Sequence, residues 1–212
     1  RFPDRRVVTL DHREKAPGRA HRDMFLDENG DVDSLLARNT LLSSGVPGSV
    51  DGLIELLERH GSMPIKKVIA PAIRLADQGF EIDWYMARHF ASVRSKMKIY
   101  PASLKKFSIN GKPLKQGDMW RQPDLANTLS RISEHGKKGF YEGETADLIV
   151  KEMERSGGII THEDLKKYHS IWREPVHGSY RGYDIWSMGP PSSGGVLLIQ
   201  ILNMLEDHDL ST

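Results

Sequence analysis

Most of the chain repeats its apolar residues at the three-to-four-residue interval of a helix. Val50, Leu53, Ile54 and Leu57 mark one helical face, with Ser49 placed to cap it and Gly61 to end it. Ile65, Val68, Ile69, Ala72, Ile73 and Ala76 give a second amphipathic series that stops at Gly79, and Pro71 inside it predicts a kink or a division. Asp83 heads a third helix through WYMARHFASVRSKM. Pro123 and Asp124 open a fourth that Gly136 closes, and GETADLIVKEMERSGG is a fifth that ends at Gly157-Gly158. Thr161 and Asp164 form a capping box with Asp in place of Glu. The apolar segment VLLIQILNMLED is the last helix.

Alternation with a period of two is confined to short stretches. Val7, Val8 and Leu10 predict a buried strand near the start, followed at once by Arg13, Glu14 and Lys15. Asn110-Gly111 predicts a hairpin turn, and VHGSYRGYDIWSM predicts two strands about Arg181-Gly182. LDENGDVD reads as a polar turn, because Arg38 stands where a calcium loop needs its closing bidentate Glu. There is no repeat, low-complexity tract or long linker. The pattern is helix-rich α+β with short strands near both ends, and 212 residues allow one large domain or two small ones.

Composition mainly excludes. Thirty basic residues against 29 acidic ones argue against a dedicated nucleic-acid binder, which would concentrate cations on one face. The absence of cysteine removes thiol catalysis, disulfides and cysteine metal sites. No apolar run is long enough to span a membrane, and the opening RFPDRRVV lacks the apolar core of a signal peptide. The chain starts without Met, which leaves processing or trimming open.

Metal and motif chemistry is equally sparse. His162-Glu163 is followed by Lys166 where a helical zinc motif needs its second His, so no metal and no cofactor are expected. Ser95 to Lys98 and Ser103 to Lys106 have the Ser-x-x-Lys spacing without its companion motifs. Two features remain. PPSSGG, Pro190 to Gly195, joins a strand to the last helix. Ser192 or Ser193 can cap that helix, and Gly194 and Gly195 allow close backbone approach. The segment is either a stiff turn with an ordinary cap or the edge of an anion pocket. Arg13, just past a strand end, is either a surface cation paired with Glu14 or Asp23, or a planar fork of donors for a carboxylate. Arg19, His21 and Arg22 read as a solvated loop.

LDHREKAP, RDMFLDENG, SSGVPGSVDGL, GSMPIKKVIAPAIRLADQGF, FYEGETADLIVKEMERSGGIITHEDLKKY and YRGYDIWSMGPPSSGGVLLIQILNMLE occur in this order. Together they resemble the large-subunit region of gamma-glutamyltranspeptidases, which are N-terminal-nucleophile hydrolases with an αββα sandwich. The resemblance implies a precursor that cleaves itself into large and small subunits. The N-terminal Thr of the small subunit then attacks a gamma-glutamyl amide such as glutathione, and water or an amino-acid amine resolves the acyl-enzyme. It also implies a single domain over residues 1–212. It assigns the donor's α-carboxylate to Arg13, and makes Glu14, Ser192, Ser193, Gly194 and Gly195 candidates for the pocket lining, with Glu14 either orienting Arg13 or pairing with another cation.

The Gly-rich segment before the REKAP strand and the nucleophilic Thr are both missing, and Thr212 lacks the context of that nucleophile. The expectation is therefore a partial large subunit, inactive alone. It should be helix-rich because much of the central sheet is elsewhere, with exposed apolar edges that favour self-association. Its partners would be the small subunit of the same precursor and a gamma-glutamyl donor, without nucleic acid or a membrane span. A bacterial source would imply a periplasmic or secreted protein. The competing readings are a cephalosporin or glutaryl acylase of the same family and a non-catalytic helical binding module.

Overall fold

The computed structural model describes residues 6–210. The opening RFPDR and Thr212, on both of which the sequence reading commented, lie outside the described residues. In chain order the elements begin with β1 (Thr9–Asp11), α1 (Ser34–Asn39), a 3₁₀ turn (Leu41–Ser43) and α2 (Ser49–His60). Next come α3 (Ile65–Gln78), β2 (Phe80–Glu81), α4 (Trp84–Met97), α5 (Pro101–Lys106), β3 (Ser108–Ile109), β4 (Lys112–Pro113) and β5 (Met119–Trp120). α6 (Pro123–His135), α7 (Lys138–Tyr141) and α8 (Gly143–Ser156) precede α9 (His162–Lys167). The chain then runs through β6 (Ile171–Arg173), β7 (Val176–Tyr180), β8 (Tyr183–Ser187) and α10 (Gly194–Leu205). The architecture is helix-rich α+β, as the pattern predicts. Its described strands form four two-stranded antiparallel sheets: β1-β6, β2-β5, β3-β4 and β7-β8.

Compact packing divides the described chain into two units, 6–59 with 156–210, and 60–155. In the second unit α3 packs on α6, with Ala76, Ala126 and Ile132 buried. Its apolar cluster is Ile82, Leu114 and Trp120, against which Phe80, Met86, Phe90 and Phe107 pack. Asp83 caps α4 by accepting from the Met86 amide, and Asn110 and Gly111 both take positive φ in the β3-β4 turn, as their residue types predict. α3 is continuous through Pro71, so the predicted division does not occur. Pro71 is exposed, which lets water satisfy the carbonyl that loses its amide partner.

In the first unit α10 lies against β7 and β8. Gly178 provides the clearance, since a Cβ there would press on Ile199. The capping box of Thr161 and Asp164 at α9 is formed. The predicted strand of Val7, Val8 and Leu10 is displaced to Thr9–Asp11, and its buried member is the carboxylate Asp11, whereas Val8 is exposed. Two-stranded pairing with β6 gives this strand no apolar sheet interior, and the ion pair described below encloses Asp11 instead. On α2 the enclosed positions are Asp51, Gly52 and Ile54, while Leu53, expected on the buried face, is 62% exposed. Leu197, Ile201 and Met204 of α10 are about half exposed or more, so the apolar exposure of this unit includes a helix, where the sequence led one to expect sheet edges.

Candidate functional site

The chemistry-bearing residues of the first unit converge on the turn after β1. Asp11 ends that strand with its side chain only 10% exposed, and both of its oxygens are engaged. Oδ1 accepts the Arg13 amide at 3.1 Å, and Oδ2 accepts Arg173 Nε, from β6, at 2.8 Å. Burial opposes the charge on Asp11. The Arg13 amide, the Arg173 guanidinium and the nearby Lys15 outweigh burial and hold the carboxyl below the usual carboxylate range.

The other side of the same peptide segment is also held. Tyr168 Oη donates to the Arg13 carbonyl at 2.8 Å. Burial, reinforced by Asp51, pushes that phenol above its ordinary value, so it remains a donor. Asp51 itself is buried on α2 and accepts both the amide and the hydroxyl of Ser170, at 2.7 and 2.6 Å. Two glycines permit this approach. A Cβ at Gly48 would overlap Tyr168 Oη and the His12 carbonyl, and one at Gly52 would overlap the His12 side chain. The Gly48–Gly52 spacing within PGSVDG is the sequence signal for a helix start pressed against another backbone.

The Arg13 side chain is held far less firmly. It is 56% exposed; Nε lies 3.4 Å from Glu14 Oε1 and Nη1 lies 3.5 Å from the Pro191 carbonyl, both at the long limit of hydrogen bonding. It opens on a cleft of about 400 Å³. Leu10 to Glu14, Ser49 at the head of α2, and Met188, Pro191 and Ser192 from the connection between β8 and α10 form its wall. The Pro190-Pro191 peptide in that connection is cis.

Of the residues singled out from sequence, Arg13, Glu14 and Ser192 therefore share one cleft, and Ser193, Gly194 and Gly195 lie outside its lining. Ser193 occupies the N-cap position of α10 without a side-chain cap bond, while Ser192 Oγ lies 3.4 Å from the Gly194 amide. Gly195 is a packing residue: a Cβ there would overlap the Met188 carbonyl. Sequence reasoning did not single out Asp11, His12, Tyr168 or Met188, and read Ser49 only as a helix cap. Asp11 and His12 lie within two positions of Arg13 in LDHREKAP and were open to notice. Tyr168 meets Arg13 across 155 positions and carries no local signal.

Arg19, His21 and Arg22, read as a solvated loop, are all exposed; Arg19 also lies 3.3 and 3.5 Å from the Ile159 and Gly158 carbonyls, toward the long limit of hydrogen bonding. Lys15 donates to the His169 carbonyl and lies over the Tyr168 ring. Arg22, beside Asp23 with both side chains exposed, fits that reading. In the second unit a separate cleft of about 500 Å³ includes Arg131, whose guanidinium is engaged by Glu144 at 3.0 Å and Thr145 at 2.9 Å. Arg13 is the more available of the two for an external carboxylate. Among the described residues no group of three His, Cys, Asp or Glu side chains could hold a metal ion, and no helix is long and apolar enough to cross a membrane.

A family model described as gamma-glutamyltranspeptidase matches residues 2–212. A glutathione hydrolase proenzyme of Escherichia coli is 43% identical over 205 residues, covering 96% of this chain and 35% of that protein. An acylase ACY 1 proenzyme of Pseudomonas sp. strain V22 is 35% identical, covering 99% of this chain and 39% of the relative. The crystal structure of Helicobacter pylori gamma-glutamyltranspeptidase superposes with a TM-score of 0.97 at 46% identity, over 99% of this chain and 60% of that one. The chain thus spans about a third of the length of the curated relatives it matches. With the family model matching nearly end to end and the fold reproduced at this level of identity, the chain belongs to the gamma-glutamyltranspeptidase family of N-terminal-nucleophile hydrolases.

Proposed function

We propose that this chain is the donor-carboxylate portion of the large subunit of an enzyme that cleaves and transfers gamma-glutamyl groups. The observation that carries the reading is Arg13: an available guanidinium on an anchored backbone, open to a cleft of amino-acid size. A donor such as glutathione presents a free α-carboxylate. The planar fork of Arg meets both of its oxygens at once, which an ammonium does not.

The reaction on this reading begins in a small subunit of the same precursor. The hydroxyl of its N-terminal Thr attacks the γ-carbonyl while its own α-amine takes the proton. The amide nitrogen leaves with a proton, and the acyl ester passes to water or to an acceptor amine. Arg13 keeps the γ-carbonyl in register with the nucleophile and takes no part in proton transfer. Glu14 and Ser192 line the cavity beside it. The chain alone would then be inactive and, through the apolar face of α10, prone to self-association; a bacterial source would make it an exported protein.

The acylase relative supports a second reading with a glutaryl-type donor. Such a donor also ends in a carboxylate, so Arg13 suits both, and the distinction rests on the α-ammonium that only the gamma-glutamyl group carries.

The test is the full-length parent assayed with a gamma-glutamyl anilide and a glutaryl anilide. Gamma-glutamyl turnover with self-cleavage is expected; preference for the glutaryl compound gives the acylase reading, and turnover of neither overturns both. Arg13→Lys is expected to raise the donor KM by about ten- to a hundredfold, the scale of one charge-assisted bond. An unchanged KM removes Arg13 from the donor site.

A further inference from the structure

Arg13 is anchored by its peptide groups and loosely held by its side chain. The amide is held by Asp11, whose other oxygen is fixed by Arg173, and the carbonyl is held by Tyr168. Asp11, Arg173 and Tyr168 come from β1, from β6 and from the residue after α9. Gly48 lets the chain entering α2 close over Tyr168 Oη, which leaves the phenol little room to move. The guanidinium, by contrast, touches Glu14 and Pro191 only at 3.4–3.5 Å. A long flexible side chain that must meet a ligand bidentately loses rotamer freedom on binding. If its backbone were mobile as well, that freedom would be lost too.

We infer that Asp11 and Tyr168 are positioning residues for donor binding: they fix the peptide on both sides of Arg13, so that carboxylate capture orders only the side chain. This rests on the assignment of Arg13 to the donor carboxylate. It adds that the affinity of that contact depends on two hydrogen bonds that never touch the donor. The cation and its mount are separable. Removing the mount weakens the Arg13 contact without removing the charge.

The experiment uses the full-length parent and a gamma-glutamyl anilide, with Tyr168→Phe in the wild-type and Arg13→Ala backgrounds. Tyr168→Phe keeps the ring and deletes the hydroxyl that donates to the Arg13 carbonyl and also meets Ser170, so the Arg13→Ala background is what isolates the Arg13 contribution. The expected result is a donor KM raised about three- to tenfold, the range for one neutral hydrogen bond, with kcat within about twofold. In the Arg13→Ala background the same change is expected to leave KM unaltered, because a positioning residue has nothing left to position. Should Tyr168→Phe not yield folded enzyme, Asp11→Asn is read in the same cycle. An unchanged KM for a folded variant overturns the inference, and so does an equal rise in both backgrounds. If Arg13→Ala alone leaves KM unchanged, the donor-site assignment falls first and this inference with it.

Discussion

Trp120 in the second unit sits among Phe80, Phe90 and Phe107, with ring centroids 5.2–5.8 Å away. Around the cleft of the first unit the enclosed groups include the carboxylates Asp11 and Asp51 beside Tyr168. Aromatic packing tolerates changes of pH and salt but not loss of volume. A carboxylate clamp tolerates small changes of shape but depends on its charge and on every partner being present. Both units bury apolar side chains, Leu165 and Ile54 in the first as Trp120 and Ile82 in the second, but the turn that carries the candidate site is held by directional bonds, which fix a backbone more finely than apolar contact does.

The largest expected effect breaks the apolar side of this contrast. Trp120→Ala removes a residue that is 8% exposed and touches three aromatic rings, and should cost about 3–5 kcal/mol in denaturant unfolding followed by circular dichroism. The loss should be equal at pH 7 and pH 4.5, since the deleted group does not titrate. A loss below about 1 kcal/mol would mean that the cluster is not what holds this unit.

Next comes a pair of glycine changes that separates crowding from backbone strain. Gly48→Ala drives a methyl into Tyr168 and the His12 carbonyl, and should destabilise by about 1–3 kcal/mol. Gly111→Ala, in the β3-β4 turn, meets open space but must hold a φ of 73°, at about 1 kcal/mol. If the two losses are equal, the cleft is not tightly closed around Tyr168.

Acid sharpens the polar side. Asp11 and Asp164 are both buried enough for burial to oppose their charge, yet their hydrogen bonds and nearby cations hold both below the usual carboxylate range. A carboxyl whose folded value is depressed adds stability that is fully present above its unfolded value, about 3.9, and lost as pH falls through the folded one. Wild-type stability should therefore decline as pH drops below about 4, and Asp11→Asn should flatten part of that decline while lowering stability at pH 7. Parallel pH curves for the two proteins would show that Asp11 gains nothing from its partners.

How far the sequence foretold this depends on whether a feature is local. The caps at Asp83, Thr161 and Asp164, the Asn110-Gly111 and Arg181-Gly182 turns and the stop at Gly79 were legible, because each is decided by residues a few positions apart. Arg13 was singled out both by its place after a strand and by the REKAP resemblance. What was not legible is what joins distant segments: Tyr168 to Arg13, Arg173 to Asp11, and Asp51 to Ser170. A buried Asp leaves no periodic trace, so the strand was read from Val7, Val8 and Leu10, while the residue actually enclosed is the polar one that follows them.

The smallest expected effect concerns the carboxylate beside the cleft that is not buried. Glu14 lies one residue beyond Arg13 with its side chain 60% exposed, and meets Arg13 Nε at 3.4 Å. In high dielectric and at that separation an ion pair is worth under about 1 kcal/mol, and salt screens most of it. Glu14→Gln should accordingly shift the unfolding midpoint little, and less still at 0.5 M salt, whereas Asp11→Asn acts at every ionic strength because Asp11 itself is enclosed and bonded through both oxygens. Two carboxylates three positions apart would then carry opposite weights, Asp11 holding the peptide and Glu14 leaving the guanidinium available. If Glu14→Gln instead destabilises by more than about 1 kcal/mol, the Arg13 side chain is fixed by its neighbour, and the contrast between an anchored backbone and a free cation fails at the site where it matters most.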